Sequence, residues 1–296
     1  MTAGTAGKVQ GRPSKVAAPS GGPALPPLSS QPQLLPPLRE ERLDGVAILT
    51  LDRPAQRNSL SEGLIAALRE AVGRLSVDQA VKAVVIAASG PAFSAGHDLK
   101  ELTARRSDAD GGRAYFAHVM DICAAMMQAI VASPKPFIAA VEGIATAAGC
   151  QLVATCDLAT AGTAARFATP GVNIGLFCST PMVALSRNVP RKRAMEMLLL
   201  GELLPAEEAA AYGLVNRVVP QGQALEAALD MARRIAAKSP ATIAIGKAAF
   251  YTQIEAPLAA AYQQAARVMV ENMMVADACE GIGAFMEKRQ PKWTGN

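Results

Sequence analysis

Three short runs of apolar residues constrain the first half of this chain more than any other feature. They are Val46-Ala47-Ile48-Leu49-Thr50-Leu51, Val84-Val85-Ile86 within 81–88, and Phe137-Ile138-Ala139-Ala140-Val141. Each is too short for a typical helix and is bounded by turn or breaker residues, the signature of a buried strand. Asp52-Arg53-Pro54 ends the first, Ser89-Gly90-Pro91 the second, and Pro134 and Pro136 precede the third. Between the strands Leu60, Leu64, Leu68, Val72 and Leu75 keep helical spacing, and 113–132 reads as a helix with Met120, Ile122, Met126 and Ile130 on or near one face. A helix rich in small residues follows at 145–155, then short strands near 158–161 and 166–168. Beyond Pro181 the pattern is helical throughout, at about 182–187, 191–200, 205–212, 223–238, 240–254, 256–275 and 277–288. Strands alternating with helices, then helices alone, predict an α/β core with a helical C-terminal part. No internal repeat is visible.

Residues 1–38 differ from the rest. They hold 8 of the 20 prolines, with clustered Gly, Ser and Ala, and predict a flexible tail. The expected division is therefore a tail at 1–38, a core at 39–225 and a helical region at 226–296. The tail carries Lys8, Arg12 and Lys15 and no acid, so most of the net charge of +4 lies there and the body is nearly neutral. A neutral body disfavours nucleic-acid binding. The tail has no apolar segment of a secretory signal. Its poverty in Arg and lack of amphipathic period favour a cytoplasmic protein over a mitochondrial matrix one. Five cysteines at irregular spacing, without CxxC, and two histidines argue against a disulfide framework or a metal site. The apolar stretch 137–156 contains Glu142, Gly143, Gly149 and Gln151, which argue against a membrane span.

Four local motifs could carry chemistry. The first is Phe93-Ser94-Ala95-Gly96-His97-Asp98-Leu99-Lys100-Glu101-Leu102, where Gly96 permits an unusual turn and Asp98 can cap the next helix. The second is Gly143-Ile144-Ala145-Thr146-Ala147-Ala148-Gly149-Cys150-Gln151-Leu152, whose small residues let a ligand reach the backbone. The third is Phe167-Ala168-Thr169-Pro170-Gly171-Val172-Asn173-Ile174-Gly175, and the fourth is Glu280-Gly281-Ile282-Gly283-Ala284-Phe285-Met286-Glu287-Lys288-Arg289. Each alone also fits an ordinary structural role.

In order and spacing, the four motifs together resemble the crotonase superfamily, the enoyl-CoA hydratase/isomerase family. The likeness runs from about Arg39 to Trp293. It includes Arg53-Pro54, Asn58-Ser59-Leu60, Gly201-Glu202 and 206–219. The resemblance implies a spiral of ββα units with C-terminal trimerisation helices, assembled as homotrimers or homohexamers. It implies acyl-CoA thioesters as substrate or ligand, lyase- or isomerase-class chemistry of fatty-acid metabolism, and no further cofactor. It places the two backbone N–H groups of an oxyanion hole at His97 and Ala148, with Ala95, Gly96, Asp98, Gly149 and Phe177 about the substrate. Lys247 is a candidate for a CoA phosphate, with an exposed helix lysine as the plainer reading.

The chain departs from the hydratase pattern at two positions. Hydratases carry glutamates where this chain has Gln151 and Gly171. An amide does not exchange a proton near neutral pH, so the resemblance implies weak hydration. Glu142, Asp157 and Asp98 are the carboxylates that could substitute, and each also has a structural reading. Cys150 and Cys178 flank the expected pocket without a neighbouring base. The methylmalonyl-CoA decarboxylase branch shares the run around Gly96-His97-Asp98, and loss of CO2 needs an oxyanion hole but no base. The tyrosine of that branch has no counterpart in Leu176-Phe177-Cys178-Ser179. A non-catalytic acyl-CoA-binding paralogue is the other alternative, and a scaffold or RNA-binding homologue a remote third.

Overall fold

The computed structural model describes Met1 and residues 36–295; most of the expected tail, residues 2–35, lies outside the described residues. Two strands, β1 (Leu38–Leu43) and β2 (Val46–Leu51), form an antiparallel hairpin across Asp44-Gly45. Both turn residues have positive φ, as a two-residue hairpin turn matched to strand twist requires. The next two strands part company. β3 (Ala83–Ala88) pairs in parallel with β2, whereas β4 (Ala92–Ser94) starts a second sheet.

That divergence recurs. β5 (Phe137–Val141) joins the first sheet and β6 (Ile144–Thr146) the second; β7 (Leu158–Gly162) joins the first and β8 (Arg166–Ala168) the second. Helices α2 (Leu99–Ala104) and α3 (Arg113–Ala132) follow β4, and α4 (Ala148–Thr155) follows β6. The repeating unit is thus two strands, one per sheet, then helix, the ββα spiral that the resemblance implies. β9 (Leu204–Pro205) closes the small sheet in antiparallel sense, and β10 (Arg217–Val219) ends the large one, whose order is β1-β2-β3-β5-β7-β10.

The central strands are buried on both faces, which explains why they read as continuous apolar runs rather than alternations. Ala47, Leu49, Leu51, Val84 and Ile86 join the main core with Leu64, Leu68, Val72 and Leu75 of α1 (Glu62–Val77). Val46, Ile48, Val85 and Ile138 face the other way, against Ala228, Leu229 and Ala232 of α8 (Ala224–Ala236). That helix spans the 225/226 position where the sequence placed the start of the helical region. Ser61 caps α1, its hydroxyl accepting from Leu64 N–H at 3.2 Å. Among the described residues α3 is the one helix long and apolar enough to cross a membrane, yet Val119, Cys123, Met126, Met127 and Ile130 lie in the core.

α5 (Pro181–Asn188), α6 (Arg191–Leu200) and α7 (Ala206–Ala211) lead from the second sheet to β10 and α8. α9 (Pro240–Gln253), α10 (Leu258–Met274) and α11 (Ala276–Met286) then form the C-terminal helices. Neither α9 nor α10 buries a side chain fully. α9 is held by a polar anchor instead. The Lys247 ammonium donates to the carbonyls of Ile130 (3.0 Å) and Lys135 (2.9 Å) and to Asp157 (2.7 Å), whose other carboxylate oxygen accepts from the Tyr251 hydroxyl at 2.9 Å. Lys247 is therefore not the exposed lysine expected. Its side chain is 7% exposed and all three of its protons are committed, which leaves nothing for a CoA phosphate. Burial pushes its pKa down, opposed by Asp157.

Removing one partner of a buried ion pair strands the other charge. Lys247→Met is expected to cost about 3 kcal/mol of stability, read as a lower urea midpoint; a loss within ~0.5 kcal/mol, the range of a surface substitution, would show that the pair does not hold the helix.

Candidate active site

The site forms where two sharply turned segments meet. β4 ends at Ser94, and the chain passes through Ala95 and Gly96 beside the residues leading into α1. Leu60 N–H donates to Gly96 carbonyl (2.8 Å), and Asp98 N–H donates to Leu60 carbonyl (3.3 Å). Successive N–H groups of an extended chain point to opposite sides, so the N–H of His97, between these two, faces away from Leu60. Gly96 has φ +89°, and a Cβ there would lie 2.8 Å from the Ala147 Cβ and 3.2 Å from the Ala148 nitrogen. Only glycine meets both demands.

The opposing segment is as constrained. Ala147, between β6 and α4, has φ 50° and ψ −120°, a conformation costly for a residue with a Cβ. Its N–H is tied to Ala168 carbonyl of β8 at 2.9 Å, and its carbonyl accepts from Gln151 N–H at 3.0 Å. Ala148 is then the first residue of α4, where backbone N–H groups have no intrahelical partner and the helix dipole is positive. Gly149 packs so closely on Ser94 that a Cβ would overlap its carbonyl. Neither His97 N–H nor Ala148 N–H donates to a protein acceptor among the described residues. Two free donors across the Gly96–Ala147 contact are what an oxyanion hole requires.

The side chains around this contact are polar but uncharged. Both ring nitrogens of His97 are buried without a hydrogen-bond partner, as are Gln151 Oε1 and Thr169 Oγ1. Burial pushes the His97 pKa down, opposed by the Leu60 carbonyl, and the imidazole is neutral. Cys150 is pushed up to about 12 by burial, and Cys178 is raised for the same reason, which leaves both as thiols. Phe177 is exposed, beside exposed Leu176 and Ile174; Ala95 is exposed too.

The Gly171 position, where the resemblance implies a second hydratase glutamate, is physically filled. A Cβ on Gly171 would come within 2.7 Å of the Leu176 carbonyl oxygen and 2.9 Å of the Cys178 sulfur. The same turn is closed by Leu176 N–H donating to Gly171 carbonyl at 2.9 Å. A carboxylate cannot simply be restored there.

Each of the substitute carboxylates makes structural bonds. Asp98 caps α2 through Lys100 N–H (3.1 Å) and accepts from the Ser59 hydroxyl (2.9 Å). Burial alone would raise its pKa, but those bonds and Arg53 outweigh it and hold the group below its usual range. Glu142 Oε1 accepts Ala224 N–H at 2.9 Å and so fixes the start of α8. Asp157 belongs to the Lys247 anchor. His118, the second histidine, is exposed and paired with Glu62 at 2.9 Å. Sequence reasoning did not single out Ala147 or Thr169; both sit in recognised motifs, but nothing in an alanine or threonine announces a strained dihedral or an unpaired hydroxyl. Among the described residues no group of three or more His, Cys, Asp or Glu is placed to hold a metal.

With this geometry established, comparison with known proteins is direct. The family model described as enoyl-CoA hydratase/isomerase matches residues 41–296, and the chain belongs to that family. Within it, the chain is similar to the mitochondrial enoyl-CoA hydratase domain-containing protein 3 of Rattus norvegicus, 46% identical over 275 residues, covering 93% of this chain and 88% of that one. The Homo sapiens counterpart is 45% identical over 258 residues, 87% of this chain and 84% of the relative. Among solved structures, an enoyl-CoA hydratase of Mycobacterium smegmatis superposes with a TM-score of 0.83 at 52% identity, covering 88% of this chain and 99% of that chain.

A buried neutral imidazole makes stability pH-dependent. Unfolded histidine takes up a proton near pH ~6.5, while folded His97 resists until lower pH, so stability falls as pH drops below that value. The melting temperature is expected to decline between about pH 7 and about pH 5.5, and His97→Asn to flatten that decline; an unchanged slope in the variant would contradict a buried neutral His97.

Proposed function

We propose that this chain binds acyl-CoA thioesters, holding the thioester oxygen between the N–H groups of His97 and Ala148. The observation that carries the reading is the contact of Gly96 with Ala147 and Ala148, which brings two unsatisfied donors together at the price of backbone strain. Such a donor is worth about 3 kcal/mol to a developing oxyanion in a dry site. Family membership supports acyl-CoA chemistry in general; the oxyanion assignment comes from the resemblance, and the free N–H groups of His97 and Ala148 support it.

Hydration of an enoyl thioester is expected to be weak. General acid–base help contributes roughly 10²–10⁴ in rate, and Gln151 and Gly171 supply none. The structural bonds of Asp98, Glu142 and Asp157 favour base-free uses of the site as the second reading: acyl-CoA binding without turnover, or decarboxylation, in which CO2 departure itself generates the enolate. Wild-type protein given crotonyl-CoA is expected to bind it and to hydrate it far below a typical turnover of ~10 s⁻¹. A rate at that level would overturn the argument from the missing glutamates.

The C-terminal helices support self-association. Phe250, Ile254, Leu258, Tyr262, Met269 and Met273 are exposed in the single chain, more apolar surface than a monomer normally leaves to water. Light scattering is expected to give three or six times the 30.7 kDa chain mass; a monomer at micromolar concentration would contradict this. The relatives' names carry the word mitochondrial, which supports a matrix location over a cytoplasmic one.

A further inference from the structure

The stretch 95–98, which carries the His97 N–H, does not hold itself in place. It lies against residues 57–60, just before α1. Ala95 N–H donates to the Arg57 carbonyl (3.0 Å), Leu60 N–H to the Gly96 carbonyl (2.8 Å) and Asp98 N–H to the Leu60 carbonyl (3.3 Å). The Ser59 hydroxyl adds a bond to Asp98 at 2.9 Å. His97 is thus bracketed by bonds to one short segment, and where that segment sits sets the direction of its N–H. The segment is itself part of the connection between β2 and α1. Arg57 and Asn58 in it have φ of 52° and 51°, two consecutive left-handed residues. Asparagine tolerates that conformation; arginine adopts it at a cost. A bond from outside the segment has to hold the turn.

The Asn58 side chain supplies it. Asn58 is completely buried. Its Oδ1 accepts from Arg53 N–H at 2.8 Å, and its Nδ2 donates to the carbonyls of Ser89 and Ala92, both at 2.8 Å. The partners fix the orientation of the amide, since a backbone N–H only donates and a carbonyl only accepts. Ser89 follows β3 and Ala92 opens β4, so one amide ties the 53–58 turn to the place where the chain leaves the first sheet for the second. We propose that Asn58 is a positioning residue of the site: through Arg57, Ser59 and Leu60 it fixes the stretch 95–98 and so aims the His97 N–H at the thioester oxygen. The inference rests on the acyl-CoA reading above. A backbone donor has no rotamer to adjust, and its aim is only as good as the chain that holds it. Without the amide, three buried backbone groups lose their partner. The remaining tie is Arg53, whose guanidinium donates to the Ser59 carbonyl at 3.2 Å and lies 3.5 Å from Asp98.

The test is Asn58→Gly, which keeps the left-handed conformation without strain and removes only the side-chain bonds. Infrared difference spectra and calorimetric titration with butyryl-CoA, labelled with ¹³C at the thioester carbonyl, are compared for the wild type, Asn58→Gly and Val85→Ala. Val85 lies in the core on the α8 side of the first sheet. The wild type is expected to hold the carbonyl band below its aqueous frequency. Asn58→Gly is expected to move the band back toward that frequency and to weaken binding roughly 10-fold. Val85→Ala also loses stability but is expected to keep the wild-type band. Ser59→Ala, which removes only the bond to Asp98, is expected to move the band the same way by less. Should Asn58→Gly not fold, Ser59→Ala decides, and an unmoved band there overturns the inference. A lower melting temperature in Asn58→Gly with wild-type band and affinity would assign Asn58 a structural role and overturn the inference, as would an equal band shift in Val85→Ala. A wild type that binds butyryl-CoA without the lowered band would instead remove the oxyanion reading, and one that does not bind it the acyl-CoA reading, each taking this inference with it.

Discussion

The contact between Gly96 and Ala147–Ala148 is the constraint on which the site depends. It joins the connection out of β4 to the start of α4, two segments about fifty residues apart in sequence, closely enough that one side must lack a Cβ. Both sides adopt positive φ, and at Ala147 this is strained for a residue that is not glycine. The strain is held by bonds from neighbouring elements: Leu60 on one side, Ala168 and Gln151 on the other. The spiral of paired strands holds these two turns in contact. β4, β6 and β8 are only three residues each, but Phe93 and Phe167 anchor them in the core and their ladder fixes the register of the loops that leave them.

What the sequence made legible was the part of the fold governed by apolar periodicity. The strands at Val46–Leu51 and Phe137–Val141 and the seven helices after Pro181 lie close to where spacing predicts them. Periodicity failed where side chains do not decide the conformation. β1, with the sequence LREERL, is an exposed hairpin arm made of charged residues. β4 and β6 are too short to show a pattern, and the expected helix at 145–155 begins instead at Ala148 because Ile144–Thr146 pair with β4 and β8 through their backbones. The proposed oxyanion positions were reached through resemblance to a family. Their physical basis is backbone geometry, on which residue identities are nearly silent except at Gly96 and Gly149.

The chemistry of the site is set as much by what is engaged elsewhere as by what is absent. Three carboxylates lie close enough in sequence to suggest replacements for the family glutamates, and each is committed to a cap, a helix start or the buried Lys247 pair. Gly171 is not an empty position awaiting a side chain, since the Leu176 carbonyl and the Cys178 sulfur occupy that space. On the proposed reading the site has two backbone donors and uncharged polar side chains nearby, suited to holding and polarising a carbonyl rather than to moving carbon-bound protons.

That account is tested most directly by the carbonyl stretch of a bound thioester. Infrared difference spectra of butyryl-CoA labelled with ¹³C at the thioester carbonyl report the hydrogen bonds to that oxygen alone. Two backbone donors in a site shielded from water predict a band at lower frequency than for the same thioester free in water. A bound-state band at or above the aqueous frequency would contradict the central claim that His97 and Ala148 form an oxyanion hole.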